Sequence, residues 1–107
     1  CAIGATSLYR RELDLQVVKR ANLIAVENID QAMAECGELI YAAHNQALKW
    51  KMVRELHEIV SGRVCGRPSD DAITLIDTIG VGAEDVAVGA FVLSKAKEQG
   101  VGTELPM

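Results

Sequence analysis

The chain has 107 residues, half of them apolar and 4% aromatic, so it is one domain or part of one and its core must be aliphatic. A charged share of 24% beside that apolar fraction excludes a disordered chain. The net charge of −4 argues against phosphate-backbone binding as the main task. The longest apolar or small run, Val86 to Leu93, has eight residues, well short of the roughly 20 that cross a membrane.

Cys1-Ala2-Ile3 reads as the interior end of a buried strand, which makes the chain a piece of something longer. A processed N-terminal cysteine nucleophile is the alternative, although nothing nearby supplies a base. Ala5 to Arg11 is a polar loop, and Leu13, Val17 and Val18 predict an amphipathic helix over Glu12 to Arg20. Leu23 to Val26 is a continuous apolar run, the pattern of a strand covered on both faces. Asn28 is the expected N-cap of a long helix, with Gln31 three residues on as a variant capping box. Its apolar face would carry Ile29, Ala32, Met33, Cys36, Leu39, Ile40 and Ala43, with Gln31, Glu35 and Glu38 opposite. This strand–helix alternation favours a parallel α/β arrangement. The two strands of residues 1–43 need sheet partners that the rest of the chain does not obviously contain.

After a connector at 44–51, Met52, Val53, Leu56, Ile59 and Val60 predict a further helix, ended by Gly62. Arg63 to Asp71 is a loop, and Ala72 to Ile79 alternates as a strand. Gly80-Val81-Gly82 turns the chain into a last helix, with Glu84 and Asp85 in its first turn, Lys95 and Lys97 in its last, and Gly100 as its stop. Its apolar stretch runs almost all round, which predicts burial.

Cys1, Cys36 and Cys65 are widely spaced and form no Cys-x-x-Cys pair, which suggests a reducing, cytoplasmic setting and no metal site. Cys36 reads as a small buried hydrophobe, and His44 and His57 as surface or capping groups. Gly80-x-Gly82-x-x-Asp85 imitates a dinucleotide fingerprint, but Glu84 and Asp85 would oppose a pyrophosphate at that helix start. Thr6 and Ser7 follow the end of a parallel strand, where α/β ligands bind, although a plain loop hydroxyl accounts for each. Glu27 reads as a solvated or helix-start acid. Gly37, inside a helix, suggests close approach by a backbone or a ligand near Glu35. Asp77, a carboxylate in an apolar strand, belongs either at an edge or interface or facing a ligand.

The strings Arg11-Glu12-Leu13-Asp14, Gln31-Ala32-x-x-Glu35-x-Gly37-Glu38-Leu39 and Gly66-Arg67-x-Ser69-Asp70-Asp71-x-Ile73-Thr74-Leu75-x-Asp77-Thr78-x-Gly80-x-x-x-Glu84-Asp85 resemble the ornithine cyclodeaminase/mu-crystallin family. Ala96-Lys97-x-x-Gly100-Val101-Gly102-Thr103-Glu104-Leu105 extends the match. The resemblance is to the C-terminal third of that family. It implies the second half of a Rossmann-type parallel sheet, with residues 1–43 in an NAD(P)-binding domain. Residues 44–107 would complete that domain and return to a substrate and dimerisation domain. It implies an NAD(P)-dependent oxidoreductase or deaminase acting on a small amino acid or cyclic imine, a homodimer in full-length form, and NAD or NADP as cofactor. A missing N-terminal part or partner chain would complete it; nucleic acid and membrane are not expected partners.

By the same resemblance, Ile3 approaches the nicotinamide, and Thr6, Glu35 and Thr78 line the ligand pocket. Thr6 stands where family cyclodeaminases carry a catalytic Asp, which favours the mu-crystallin or ketimine-reductase side over ornithine deamination. Ile76 and Thr78 replace the usual Phe and Ser of the motif, changing the pocket's shape. The family's phosphate loop and active-site Lys and Arg lie upstream of the matching region, so residues 1–107 alone are expected neither to hold NAD(P) tightly nor to turn over substrate. A non-catalytic NADPH or small-ligand binder of the mu-crystallin kind, or a structural remnant pairing with another chain, are the alternatives.

Overall fold

The computed structural model describes residues 1–106. The elements follow in the order α1 (Leu15–Arg20), β1 (Leu23–Val26), α2 (Ile29–Glu35), α3 (Gly37–His44), a single 3-10 turn (Trp50–Met52), β2 (Val53–Glu55), α4 (Leu56–Val60), β3 (Thr74–Ile76) and α5 (Gly82–Gln99). The three strands form a parallel sheet in the order β2-β1-β3. Ala2 adds a parallel pairing to Asp77, which continues the sheet one place beyond β3.

The Leu23–Val26 run is the central strand because both its faces and both its edges are covered. Ile24 pairs with Val53 on one side and Leu75 on the other, and Ile24, Ala25 and Val26 are all buried. Asn22 pins the register on the β3 side. Its amide donates to the Ile73 carbonyl at 2.7 Å, and its side-chain oxygen accepts from the Ile73 amide at 2.9 Å. Val26, Ala32, Cys36, Leu39, Ala42, Val53 and Leu75 make one aliphatic core between the sheet and helices α2 and α3.

Several expectations are corrected. The helix expected over Met52–Val60 is a strand followed by a short helix. The free edge of β1 offers Val53 to Glu55 a parallel ladder, and Val53 is buried there, so tertiary pairing overrides an apolar spacing that suits either element. β2 and β3 are also the sheet partners that residues 1–43 were expected to lack. The first helix begins at Leu15, not Glu12, because Asp14 caps it by accepting from the Val17 amide at 2.9 Å. The long helix after Asn28 is interrupted at Cys36, whose ψ of 96° leaves helical space, giving α2 and α3. Met33, expected on the apolar face, is exposed. Asn28 does cap α2, accepting from the Gln31 amide at 2.8 Å, whereas the Gln31 side chain turns to other partners.

The last strand shortens to Thr74–Ile76. Gly80, at φ 86°, makes the turn into α5, and Gly100, at φ 64°, ends that helix in the left-handed conformation. Within the described residues α5 buries none of its side chains, contrary to the expected burial. Phe91 is 63% exposed, and Val86, Val88, Val92 and Leu93 are exposed with it. No helix among the described residues is long and apolar enough to cross a membrane.

Candidate functional site at the C-terminal edge of the sheet

All strands point the same way, so the loops after β1, β2, β3 and the Ala2 segment gather at one edge. That edge is where open α/β sheets bind ligands. Two carboxylates organise it. Glu27, the residue after β1, accepts from the backbone amides of Ile79 at 3.2 Å and Gly80 at 3.3 Å. Glu55, which ends β2, accepts from the Ile29 amide at the start of α2 at 2.9 Å and lies 3.3 Å from His57 Nδ1. Glu27 is therefore not the solvated acid its sequence neighbourhood suggests. It satisfies two amides in the turn between β3 and α5.

Ile3 and Thr78 come together. The Ala2–Asp77 pairing, with Ala2 donating to the Ile76 carbonyl and Thr78 donating to the Ala2 carbonyl, each at 2.9 Å, puts Ile3 and Thr78 next in parallel register. Ile3 is 71% exposed and Thr78 half-buried. Glu35 reaches the same edge through Gln31, whose side-chain amide lies 3.2 Å from Glu35 Oε2 and donates to the Gly80 carbonyl at 3.1 Å. Thr6 is exposed on the loop that leaves Ile3.

That loop is anchored from below. Glu12 folds back so that its Oε2 accepts from the Gly4 amide at 2.8 Å. The Glu12 amide donates to Glu38 Oε1 at 3.2 Å. Gly37 is a close-approach glycine, although it opens α3 after the break at Cys36 instead of lying inside a helix, and the approaching group is backbone. A Cβ there would lie 2.8 Å from the Leu8 carbonyl and 2.9 Å from that of Ser7, with the Arg10 carbonyl nearer still.

Glu38, expected on a polar helix face, is instead 1% exposed, and Asp77 is 2% exposed. Asp77 is at no edge: its amide donates to the Ala25 carbonyl in β1 at 3.0 Å while its other side pairs with Ala2. The Cys36 thiol donates to Asp77 Oδ2 at 3.2 Å. One ligand-type atom from each of Cys36, Glu38 and Asp77 lies within 4.8 Å of the others, and Glu38 Oε2 is buried without a hydrogen-bond partner. Burial pushes the Asp77 carboxyl up to about 6; the thiol contact opposes the rise, and the charges of Glu38, Glu12 and Glu27 add to it. Burial likewise pushes the Cys36 thiol up to about 12, so it is a hydrogen-bond donor here and no nucleophile. The sequence signal for this cluster is Gly37: a glycine in a helical pattern marks where the helix breaks and the loop packs against the start of α3.

The residues from 1 to 100 match the model of the ornithine cyclodeaminase/mu-crystallin family. The chain belongs to that family. A Delta(1)-pyrroline-2-carboxylate reductase of Bacillus cereus is 30% identical over 105 residues, covering 97% of this chain and 32% of the relative. Among solved structures, the Delta(1)-pyrroline-2-carboxylate reductase of Thermococcus litoralis, in complex with NADH and L-proline, superposes with a TM-score of 0.84 at 30% identity over 96% of this chain and 32% of its own. An archaeal alanine dehydrogenase dimer with bound NAD superposes with a TM-score of 0.78 at 33% identity over 99% of this chain and 33% of its own. The fold is thus the Rossmann-type parallel α/β fold, and the chain spans about a third of the length of the relatives it matches.

Proposed function

We propose that this chain is the C-terminal part of an NAD(P)-dependent oxidoreductase that reduces a small cyclic imine or interconverts an amino acid and its imine. In this reading residues 1–43 belong to the nucleotide-binding domain. The remainder completes its sheet and, through α5, returns to a substrate and dimer domain. The observation that carries the reading is the parallel pairing of Ala2 with Asp77, which puts Ile3 and Thr78 next in register at the C-terminal sheet edge, in a segment that superposes on a relative solved with NADH and L-proline.

The residues present suit one side of a nicotinamide site. Ile3 offers exposed apolar surface to a flat ring, Thr78 beside it offers a hydroxyl, and the edge is stiffened by Glu27 and Gln31. A bound reduced nicotinamide supplies the hydride. The chain itself contains no Gly-x-Gly-x-x-Gly phosphate loop, so grip on the pyrophosphate would come from other sequence. Thr6 offers a neutral hydroxyl at the position of the cyclodeaminases' catalytic Asp. It can hydrogen-bond a substrate carboxylate or imine without adding negative charge, which favours reduction over deaminating cyclisation. Glu35 stands at the rim, linked to the turn at Gly80 through the Gln31 side chain, and would recognise a cationic amine or iminium.

The exposed apolar side of α5 agrees with a helix that meets the substrate domain or a second copy, as in a homodimer. The test is the full-length protein with NADH or NADPH and Delta(1)-pyrroline-2-carboxylate. Loss of reduced-nicotinamide absorbance that depends on both components is expected. Tight cofactor binding with no turnover of any cyclic ketimine, nor of pyruvate with ammonia, would replace the reading with a mu-crystallin-like ligand binder.

A further inference from the structure

The cluster of Cys36, Glu38 and Asp77 is unbalanced in charge and in hydrogen bonds. Two buried carboxyl groups and a thiol converge within 4.8 Å, and no Lys, Arg or His side chain is bonded or ion-paired to any of them among the described residues. Glu38 Oε2 is a buried acceptor with nothing to accept from. Two ionised carboxylates this close in a medium of low polarity repel strongly. One proton between them removes the repulsion and fills the vacant acceptor at once.

We propose that Asp77 and Glu38 share a single proton, and that this acid pair positions the loop from Gly4 to Glu12, which carries Thr6. Glu38 is the ionised member. It accepts the Glu12 amide and sits in the first turn of the eight-residue helix α3, where backbone amides favour an anion. Asp77 is the protonated member, because its bonded neighbour is only a weakly donating thiol and Glu12, Glu27 and Glu38 all raise the cost of a charge there. The hydroxyl of Asp77 then donates to Glu38 Oε2. With the proton lost, Glu38 is driven from the second charge, and the bond to the Glu12 amide weakens. The loop loses the clasp that sets it over Gly37. The consequence for Thr6 rests on the function proposed above; the shared proton does not.

The test uses the full-length protein. Infrared difference spectra between wild type and Asp77→Asn should show the carbonyl band of a buried protonated acid, fading as pH rises with a midpoint of about 6. In wild type the exchange protection of the Glu12 amide should fall at least tenfold across that midpoint. Asp77→Asn keeps a donor toward Glu38 and should make the protection independent of pH. Should that variant fail to fold, Glu38→Gln supplies the proton from the other side while still accepting from Glu12, and should behave alike. No acid band in the wild type, or protection in the variants that falls as in wild type, overturns the proposal. So does stoichiometric uptake of Cd²⁺ with a thiolate absorption that Cys36→Ser abolishes, since a metal ion then holds the cluster. An absence of imine reduction, with the band and the protection as expected, would count against the function alone.

Discussion

Glu27 and Gly80 are 53 residues apart, yet the Glu27 carboxylate accepts the Gly80 amide at 3.3 Å and the adjacent Ile79 amide at 3.2 Å. One side chain at the end of β1 thereby holds the turn after β3. That turn would otherwise present two unpaired donors at the edge where Ile3 and Thr78 meet. Glu27→Ala is expected to destabilise the protein by about 1–3 kcal/mol, the cost of leaving such donors unsatisfied. Glu27→Gln, which keeps one acceptor oxygen, should lose less. Denaturant unfolding of the two variants measures the difference.

Gly37→Ala should run against helix propensity. In a helix interior the change stabilises by about 1 kcal/mol, and at the first residue of α3 the gain is smaller. Here the new methyl group would press on the carbonyl oxygens of Ser7, Leu8 and Arg10, which are backbone and cannot swing aside. A net loss of about 1–3 kcal/mol is expected, with faster amide exchange at Gly4 and Glu12. A stabilised variant would show that the loop is not seated on α3.

Stability should fall as pH rises through the range that Asp77 governs. The folded carboxyl titrates at about 6 against an ordinary value of 3.8, so the folded state holds this proton more tightly. Below 3.8 both states are protonated and the fold carries no penalty from this group. Between 3.8 and about 6 the unfolded chain ionises first, and above about 6 the full penalty is present. A shift of this size corresponds to a loss on the order of 3 kcal/mol, on top of what other groups contribute. Asp77→Asn should flatten that part of the profile, as thermal melts at several pH values would show.

Phe91→Ser tests the proposal that α5 is covered in the full-length protein. Nothing among the described residues buries Phe91, so the stability of the 107-residue chain should move by no more than about 0.5 kcal/mol. In the full-length protein the same change should cost about 3–5 kcal/mol or dissociate a dimer, as for a large side chain lost from a packed interface. Unfolding curves and gel filtration of both forms give the comparison.

Local chemistry made much of this protein legible in advance. The Leu23–Val26 run could only be a covered strand, Asn28 a cap, Gly80 and Gly100 turns of positive φ, and the ordered motifs from Arg11 to Asp85 marked the family. Each depends on a residue and its near neighbours. What stayed hidden depends on partners far along the chain. Val53–Glu55 is a strand because β1 had a free edge, and Cys36 breaks a helix where Gly37 admits the loop that carries Ser7, Leu8 and Arg10. Glu27 and Glu38 read as surface acids until the fold aims backbone amides at them.

The sequence by itself determined the parallel α/β class and, through its ordered motifs, the family, because composition, caps and motif spacing act over a few residues; Ile3, Thr6, Glu35 and Thr78 came only from that resemblance. Only the tertiary structure decided which carboxylates are buried, that Ala2 pairs with Asp77 so that Ile3 and Thr78 follow in register, and that Asp77 and Glu38 bring carboxylate oxygens within 4.8 Å of each other. Those facts rest on parallel register and on amides far along the chain, and no local pattern encodes the direction from which such a donor arrives.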